Sequence, residues 1–298
     1  MSILTDNYTI SAFKHSSSLI KGISTSNITP GVQLMIARGS GAVDPSFVGV
    51  GQISAEIGFE TSAIKTALAG IGGISGAAIS NDTFFLHKMV SDGLRGGTSA
   101  HIKAVIASGL IVPTRIRAAQ GQQAVLGYRA IPRSADGTTS PIAFTAAQSL
   151  ETGQDAITEI YTMGPVTINA TQLEGVSLWE LDFGIDVWIN IIDGNIYPTG
   201  VGVTRRNPII TVTSFDVGKF STWDLKGIAQ GETDSTIVLH DQAAGGVRGS
   251  SPITFTMDAG MAHFSSIPGT DGEPIAGQVI ITPVYDGTNA ILAVSGIT

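Results

Sequence analysis

The 298-residue sequence carries 16 basic and 24 acidic side chains, a formal net charge of −8, and no cysteine. Disulfides and zinc–thiolate centres are excluded, and a dedicated nucleic-acid binder, which presents a basic face, is disfavoured. Charged residues make up 13%, against roughly 25% in an average globular chain, so much of the surface is expected to be covered by other protein.

The opening "MSILTDNYTISAFKHSSSLI" has no basic segment followed by an apolar core, so no secretory signal is expected. "GVQLMIAR" (31–38) alternates weakly and reads as a strand, followed by "GSG" (39–41), which tolerates positive φ. "SAEIGFET" (54–61) resumes the alternation, giving a strand, a loop bearing glycine and proline, and a second strand: a hairpin with a long tip. "SAIKTALAGI" (62–71) places Ile64, Ala67, Leu68 and Ile71 at helical spacing, and Gly72–Gly73 ends it. "TFFLH", "SAHIKAVIA", "AVLGYRAI" and "SPIAFTAA" then read as strands, and the polar "QSLETGQD" (148–155) as a linker.

Beyond the linker the order recurs. "GIDVWINII" (184–192) alternates strongly, "DGN" (193–195) turns, and "NPIITVTSF" (207–215) alternates again. A second short helix is expected over 215–226, on Val217, Phe220 and Trp223, followed by "TIVLH", "SPITFTM", "AGQVIITPV" and "NAILAVSG". Pro45 and Pro198 stand 153 positions apart, each ahead of a Val-Gly-Val triplet. The same offset pairs Tyr8 with Tyr161, Gly31 with Gly184, His87 with His240 and Arg95 with Arg248. "PRSADGT" (132–138) answers "PVYDGT" (283–288) at a slightly shorter offset. The sequence therefore predicts an internal duplication, residues 1–153 and 154–298, with about seven strands and one short helix per copy. Each copy is long enough to bury its own core, so the fold class is mainly β: two similar sandwich or barrel domains.

No chemical constellation emerges. "AGIGGISGA" (69–77) lacks the third glycine of the dinucleotide fingerprint and follows a predicted helix, not a strand. His87 and His240 lack carboxylate or histidine partners at ligand spacing, and a structural use at a strand end is the better reading. Arg95 and Arg248 read as ion-pair or interface residues, and Asp136 and Asp286 as turn formers. There is no Gly-x-Ser-x-Gly elbow. No enzyme activity, cofactor or metal is expected. No apolar run reaches the ~20 residues a membrane helix needs, and "ALAGIGGISGAAI" (67–79) is both short and broken.

A chain with two β copies, an interface-like composition and no active site reads as a structural subunit. It resembles the major tail tube proteins of long-tailed bacteriophages. The resemblance lies in "EGVSLWELDFGIDVWINIIDGNIYPTGVGVTRRNPIITVTSFD" (174–216) and its echo "KGISTSNITPGVQLMIARGSGAVDPSFVGVGQISAEIGFE" (21–60), about a third of each copy. It implies a β-sandwich with one flanking helix per domain, and stacked rings whose hairpins join an inner β-barrel that conducts DNA. Family members are mostly single-domain and hexameric. A duplicated chain would form a pseudo-sixfold ring from three copies.

The resemblance implies self-assembly, contact with other tail proteins, and viral DNA passing without sequence-specific binding, in a virion tail assembled in the host cytoplasm. Tip residues Gly39, Gly41 and Pro45, and Asp193, Gly194, Asn195 and Pro198, are candidates for inter-ring contact. Glu56, Glu60 and Asp186 stand on polar faces of alternating strands and are candidates for the lumen or for ordinary solvated positions. An acidic lumen would repel phosphates within the ~10 Å Debye length at 0.1 M salt. The alternatives are a capsid or tail-tip structural protein, or a tandem adhesin, for which Tyr197 is the one aromatic residue at a loop tip.

Overall fold

The computed structural model describes residues 7–89, 97, 99–153, 157, 159–220, 223, 227–230, 235–243, 246–267, 269 and 275–298. In the first half these form β1 (Asn7–His15), β2 (Ser18–Ile20), β3 (Ile23–Thr29), β4 (Val32–Ala37), β5 (Phe47–Ile53), β6 (Glu56–Thr61), helix α1 (Ile64–Gly70), β7 (Ala77–Met89), β8 (His101–Ala119), β9 (Val125–Pro132) and β10 (Ile142–Gln148). The second half follows with β11 (Tyr161–Ile168), β12 (Thr171–Leu173), β13 (Val176–Asp182), β14 (Ile185–Asn190), β15 (Gly200–Arg206), β16 (Ile209–Ser214) and helix α2 (Val217–Phe220). It ends with β17 (Ile228–Gln230), β18 (Ser235–Asp241), β19 (Ile253–Met257), β20 (Gly260–Ser266), β21 (Gly277–Pro283) and β22 (Ala293–Ser295).

The chain is mainly β, and every strand pairing is antiparallel. The starts of β2 through β6 and α1 fall 153 positions before those of β12 through β16 and α2. Pairing recurs with the elements. In the first half one layer runs β2–β1–β7–β8–β10 and the other β3–β6–β9–β8; in the second the orders are β12–β11–β18–β19–β22 and β13–β16–β21–β20, with the short β17 paired to the start of β20 at Gly260–Ala262. One long strand, β8, serves both layers, pairing β7 and β10 over 101–111 and β9 and β13 over 109–119. Gly109 (φ +156°) lies where the two sets meet, and a Cβ there would overlap the Ile131 carbonyl. Gly260 (φ +151°), the first residue of β20, has the same surroundings against the Thr282 carbonyl, and the strand there is split into β19 and β20.

Alternation explains the packing. Phe13 and Phe84 from one layer meet Phe59 and Tyr128 from the other, with Phe13–Phe84 centroids 4.4 Å apart and Phe59–Tyr128 5.5 Å. Val166, Ile237, Val212 and Val279 hold the corresponding places in the second half and are fully buried. At these four positions the first half is aromatic and the second aliphatic, while Trp179 and Phe255 bury aromatic rings elsewhere in the second half. Helix α1 closes the end of the first sandwich with Ile64, Ala67 and Leu68 inward, and Gly72 (φ +70°) follows it.

Three differences from the sequence reading have physical causes. The seven strands expected per half omitted β1–β3 and β11–β13. β3, "ISTSNIT", is mostly exposed at a sheet edge and therefore has no apolar alternation to detect. The return strand of each hairpin is β5 or β15, not the stretch after it: β4 pairs β5 and β14 pairs β15, whereas β6 and β16 join the main layers. Glycine weakened that signal, yet Gly49 and Gly51 lie beneath Phe47 and Met35, and Gly200 and Gly202 beneath the Trp188 indole. A side chain at those positions would lift the rings off the strand. Finally, α2 is a single turn, Val217–Phe220, and most of the remaining stretch to 226 lies outside the described residues.

Candidate functional site: an edge seam and two hairpins

The two halves join edge to edge. β13 pairs with β16 on one side and with the end of β8 on the other, in the register Leu178↔Ala119, Glu180↔Arg117 and Asp182↔Arg115. The seam continues past the strands: Gln120 N–H donates to the Ser177 carbonyl and Phe183 N–H to the Thr114 carbonyl, both at 2.9 Å. Trp179 and Leu181 face inward here, fully buried with Ile116 and Ala118. The result is one continuous layer spanning both halves.

The strand that occupies β13's place in the first half is β3, and among the described residues its one ladder partner is β6. Ser26 and Ile28 stand where the second half has Trp179 and Leu181. Ser26 is exposed and Ile28 half-buried. An unpaired edge of this kind presents backbone donors and acceptors to another chain.

The face of this layer that points away from the sandwich core is polar. Glu60 accepts from the Arg115 guanidinium at 2.9 Å and from the Thr25 hydroxyl at 3.0 Å. The Arg115 hydrogen bond is the main reason the Glu60 carboxyl is held below its ordinary range, and the same contact raises Arg115. Glu56 lies 4.0 Å from Arg129. Across the seam, Arg117 and Arg115 stand opposite Glu180 and Asp182. The structure thus brings Glu56 and Glu60 together on β6, each beside an arginine. Asp186 lies apart, on β14, paired with Arg205 at 2.6 Å in solvent. The face is charge-balanced at these positions, not simply acidic. Sequence reasoning missed the arginines, although "RIRAA" shows Arg115 and Arg117 alternating with the buried Ile116 and Ala118.

The hairpins leave the layer at β3/β6 and β13/β16. Each tip is built the same way. Ala42 N–H donates to Gly39 and Ser46 N–H to Ala37, and Asn195 N–H donates to Ile192 and Thr199 N–H to Asn190, all at 3.0 Å. Gly41 (φ +80°) and Gly194 (φ +72°) make the turn, with Asp193 also at positive φ. The surroundings of the two tips differ completely. The second tip lies on the loop 133–138 of the first half: Ser134 N–H donates to the Pro198 carbonyl at 2.7 Å, and Ile196 and Tyr197 N–H both donate to the Gly137 carbonyl at 3.0 Å. Asn195 covers Gly137 and Pro198 is buried. Among the described residues the first tip touches no such loop, and Gly39, Gly41 and Pro45 are exposed. Its hairpin also exposes Leu34, Ile36, Phe47 and Val48 by 56–60% and Val43 by 85%.

The other sequence-predicted residues are structural in setting. Asp136 accepts from the Thr138 and Thr139 N–H groups, and Asp286 from those of Thr288 and Asn289. These contacts hold both carboxyls below their usual range. His87 lies edge-on to His101 at 6.0 Å, and burial, reinforced by Arg248, lowers His240. Arg95 lies outside the described residues. The 69–77 stretch forms the end of α1, a 3-10 turn and the start of β7. A buried His15–Asp82 pair at 2.7 Å, not anticipated from sequence, joins β1 to β7. Among the described residues no cluster of three or more His, Asp or Glu could hold a metal, and no helix is long and apolar enough to cross a membrane. No protein-family model matches the chain, and no curated protein matches its sequence.

Proposed function

We propose that this chain is the ring-forming subunit of a phage tail tube, an internally duplicated protein of which three copies close a pseudo-sixfold ring. The observation that carries the reading is the β8–β13 seam together with the β3 edge at the far side of the same layer, unpaired among the described residues. The seam is head-to-tail: the end of one half's layer takes up the first strand of the next. A heterologous contact repeated between chains generates a closed ring or an open helix, never a simple twofold dimer. Applied once more, it seats β3 of one copy against the end of β20 of the next. Six equivalent four-strand sectors then form one barrel, its polar face inward.

The lumen wall in this arrangement carries Glu56, Glu60, Glu180 and Asp182 as neighbours of Arg115, Arg117 and Arg129. DNA crosses such a wall without a net basic track to hold it. Rings stack into a tube that meets other tail proteins in the virion, after assembly in the host cytoplasm. The subunit acts as architecture and not as an enzyme. Cryo-EM or mass measurement of purified particles tests the reading. Rings of three chains that stack into tubes are expected, whereas a stable monomer or a ring of six chains overturns it.

A further inference from the structure

We propose that the tip of the β4–β5 hairpin docks on the loop 284–288 of a neighbouring copy, as the β14–β15 tip docks on the loop 133–138 of its own chain. The inference rests on the head-to-tail ring proposed above and assigns a contact within it.

Donor and receiver are both built, and both are uncovered. The two tips share their turn hydrogen bonds and their positive-φ glycine. The two loops share theirs as well. Arg133 N–H donates to the Ser108 carbonyl at 2.9 Å and Val284 N–H to the Ala259 carbonyl at 3.0 Å, anchoring the loop starts alike. Asp136 and Asp286 then hold the same turn. Within the chain one tip is seated on one loop. The remaining tip keeps the turn of that contact, and the remaining loop, one residue shorter and with Tyr285 before its aspartate where the first has Ser134 and Ala135, keeps its anchor and its aspartate turn. At Gly137 an added Cβ would collide with the Asn195 side chain; at Gly287 it would meet nothing within 4 Å. Ser134 is 3% exposed beneath Pro198, while Val284 and Tyr285 are 55% and 61% exposed.

The chemistry of the uncovered pair matches. Val43 at the tip and Val284 and Tyr285 on the loop are apolar, and apolar groups left so exposed mark a surface meant to be covered. The partner is a second copy of this chain, because the seated contact is its template and direction. The first half supplies the loop and receives the second half's tip, which is the polarity of the β8–β13 seam. Transposing the contact places the Val43 and Asp44 N–H groups on the Gly287 carbonyl. The hairpin therefore clamps its neighbour laterally, within one ring.

The absence of native cysteine allows a direct test. Ala42→Cys and Thr288→Cys are combined in one full-length chain and treated with a short bis-maleimide, with each single variant as control. Folding is verified by circular dichroism and ring formation by mass measurement. The expected result is covalent dimers and closed trimers in the double variant and neither in the controls. Intact three-chain rings that yield only monomers overturn the docking and leave the ring standing. A covalent ladder running past three chains places the contact between rings and overturns the lateral clamp. Absence of both rings and cross-links removes the ring reading, and the clamp with it.

Discussion

The Ile53 backbone N–H donates to the Ile196 carbonyl at 2.8 Å, so the end of the first hairpin's return strand is held by the tip of the second hairpin. Together with the contacts at Ser134 and Gly137, this makes the second tip a bracket between β5 and the loop after β9. Arg206 holds the equivalent place at the end of β15. The two hairpins are thus arranged in series along the layer, the first one's return strand adjoining the second one's tip.

The seam predicts thermodynamic coupling of the halves. Trp179 lies on β13 between β16 and β8, fully buried. Trp179→Ala is expected to cost about 3–5 kcal/mol by denaturant titration. Trp179→Phe should cost far less, because the indole Nε1 is buried without a hydrogen-bond partner and its removal leaves no group newly unsatisfied. An alanine variant as stable as the parent would show that the seam does not bind the halves together.

Much of the frame could be read from residues alone, and the reason is alternation. "NPIITVTSF" buries Ile210, Val212 and Ser214 on one face, so period two is written into it, whereas "GIDVWINII" alternates in sequence but buries no residue of its strand. The recurrence of Pro45 at Pro198 likewise located both hairpins. The β3 strand was invisible because an uncovered edge strand has no buried face to enforce a pattern. The arginines of the polar face were invisible for another reason. Arg129 faces Glu56 across two strands separated by more than seventy positions, and only the β6–β9 register reveals it. Whether a tip is seated or free depends on tertiary contact, and the local sequences of the two tips are alike in glycine and proline.

Charge on the polar face should govern whether assembled particles retain DNA. Glu56 and Glu60 each offset an arginine. Their double replacement, Glu56→Lys with Glu60→Lys, would leave Arg115 and Arg129 among new cations. Because the native pairs are partly exposed, each is worth only about 0–1 kcal/mol, and folding should survive. Double-variant particles are expected to retain DNA in a filter or mobility assay, with retention lost as salt rises. Equal behaviour of variant and parent would place this face away from the conduit.

Acid should loosen the receiving loops. The Asp136 and Asp286 carboxyls are held below their ordinary 3.8 by backbone N–H donors, and Glu60 is held below 4.5 by Arg115. A folded-state pKa depressed in this way contributes stability that is fully present above the unfolded value. That contribution is lost as pH falls through the folded value. Rings should persist through neutral and mildly acidic pH and dissociate below about 4. Asp286→Asn retains an oxygen acceptor for the turn but cannot titrate, and should flatten the acid transition. Particle mass against pH reads the outcome; an unchanged profile in the variant removes Asp286 from the assembly contact.

The two tips should respond differently to removal, although their local geometry is the same. Replacing residues 193–195 with a two-residue turn withdraws Asn195 from Gly137 and displaces the donors at Ile196 and Tyr197. Three backbone hydrogen bonds on the loop 133–138 and one to Ile53 depend on that tip. At about 0.5–1.5 kcal/mol each, their loss should lower the stability of the isolated chain measurably. Shortening residues 39–45 disturbs the tip's own turn but breaks no contact with a receiving loop. The isolated chain should therefore keep its melting temperature, while ring closure and tube growth fail. Thermal unfolding at low protein concentration, beside particle counting at high concentration, separates the two effects. A 39–45 variant that forms rings and tubes of normal length would show that the exposed hairpin has no part in assembly. A 193–195 variant with undiminished stability would show that the seated tip only rests on its loop.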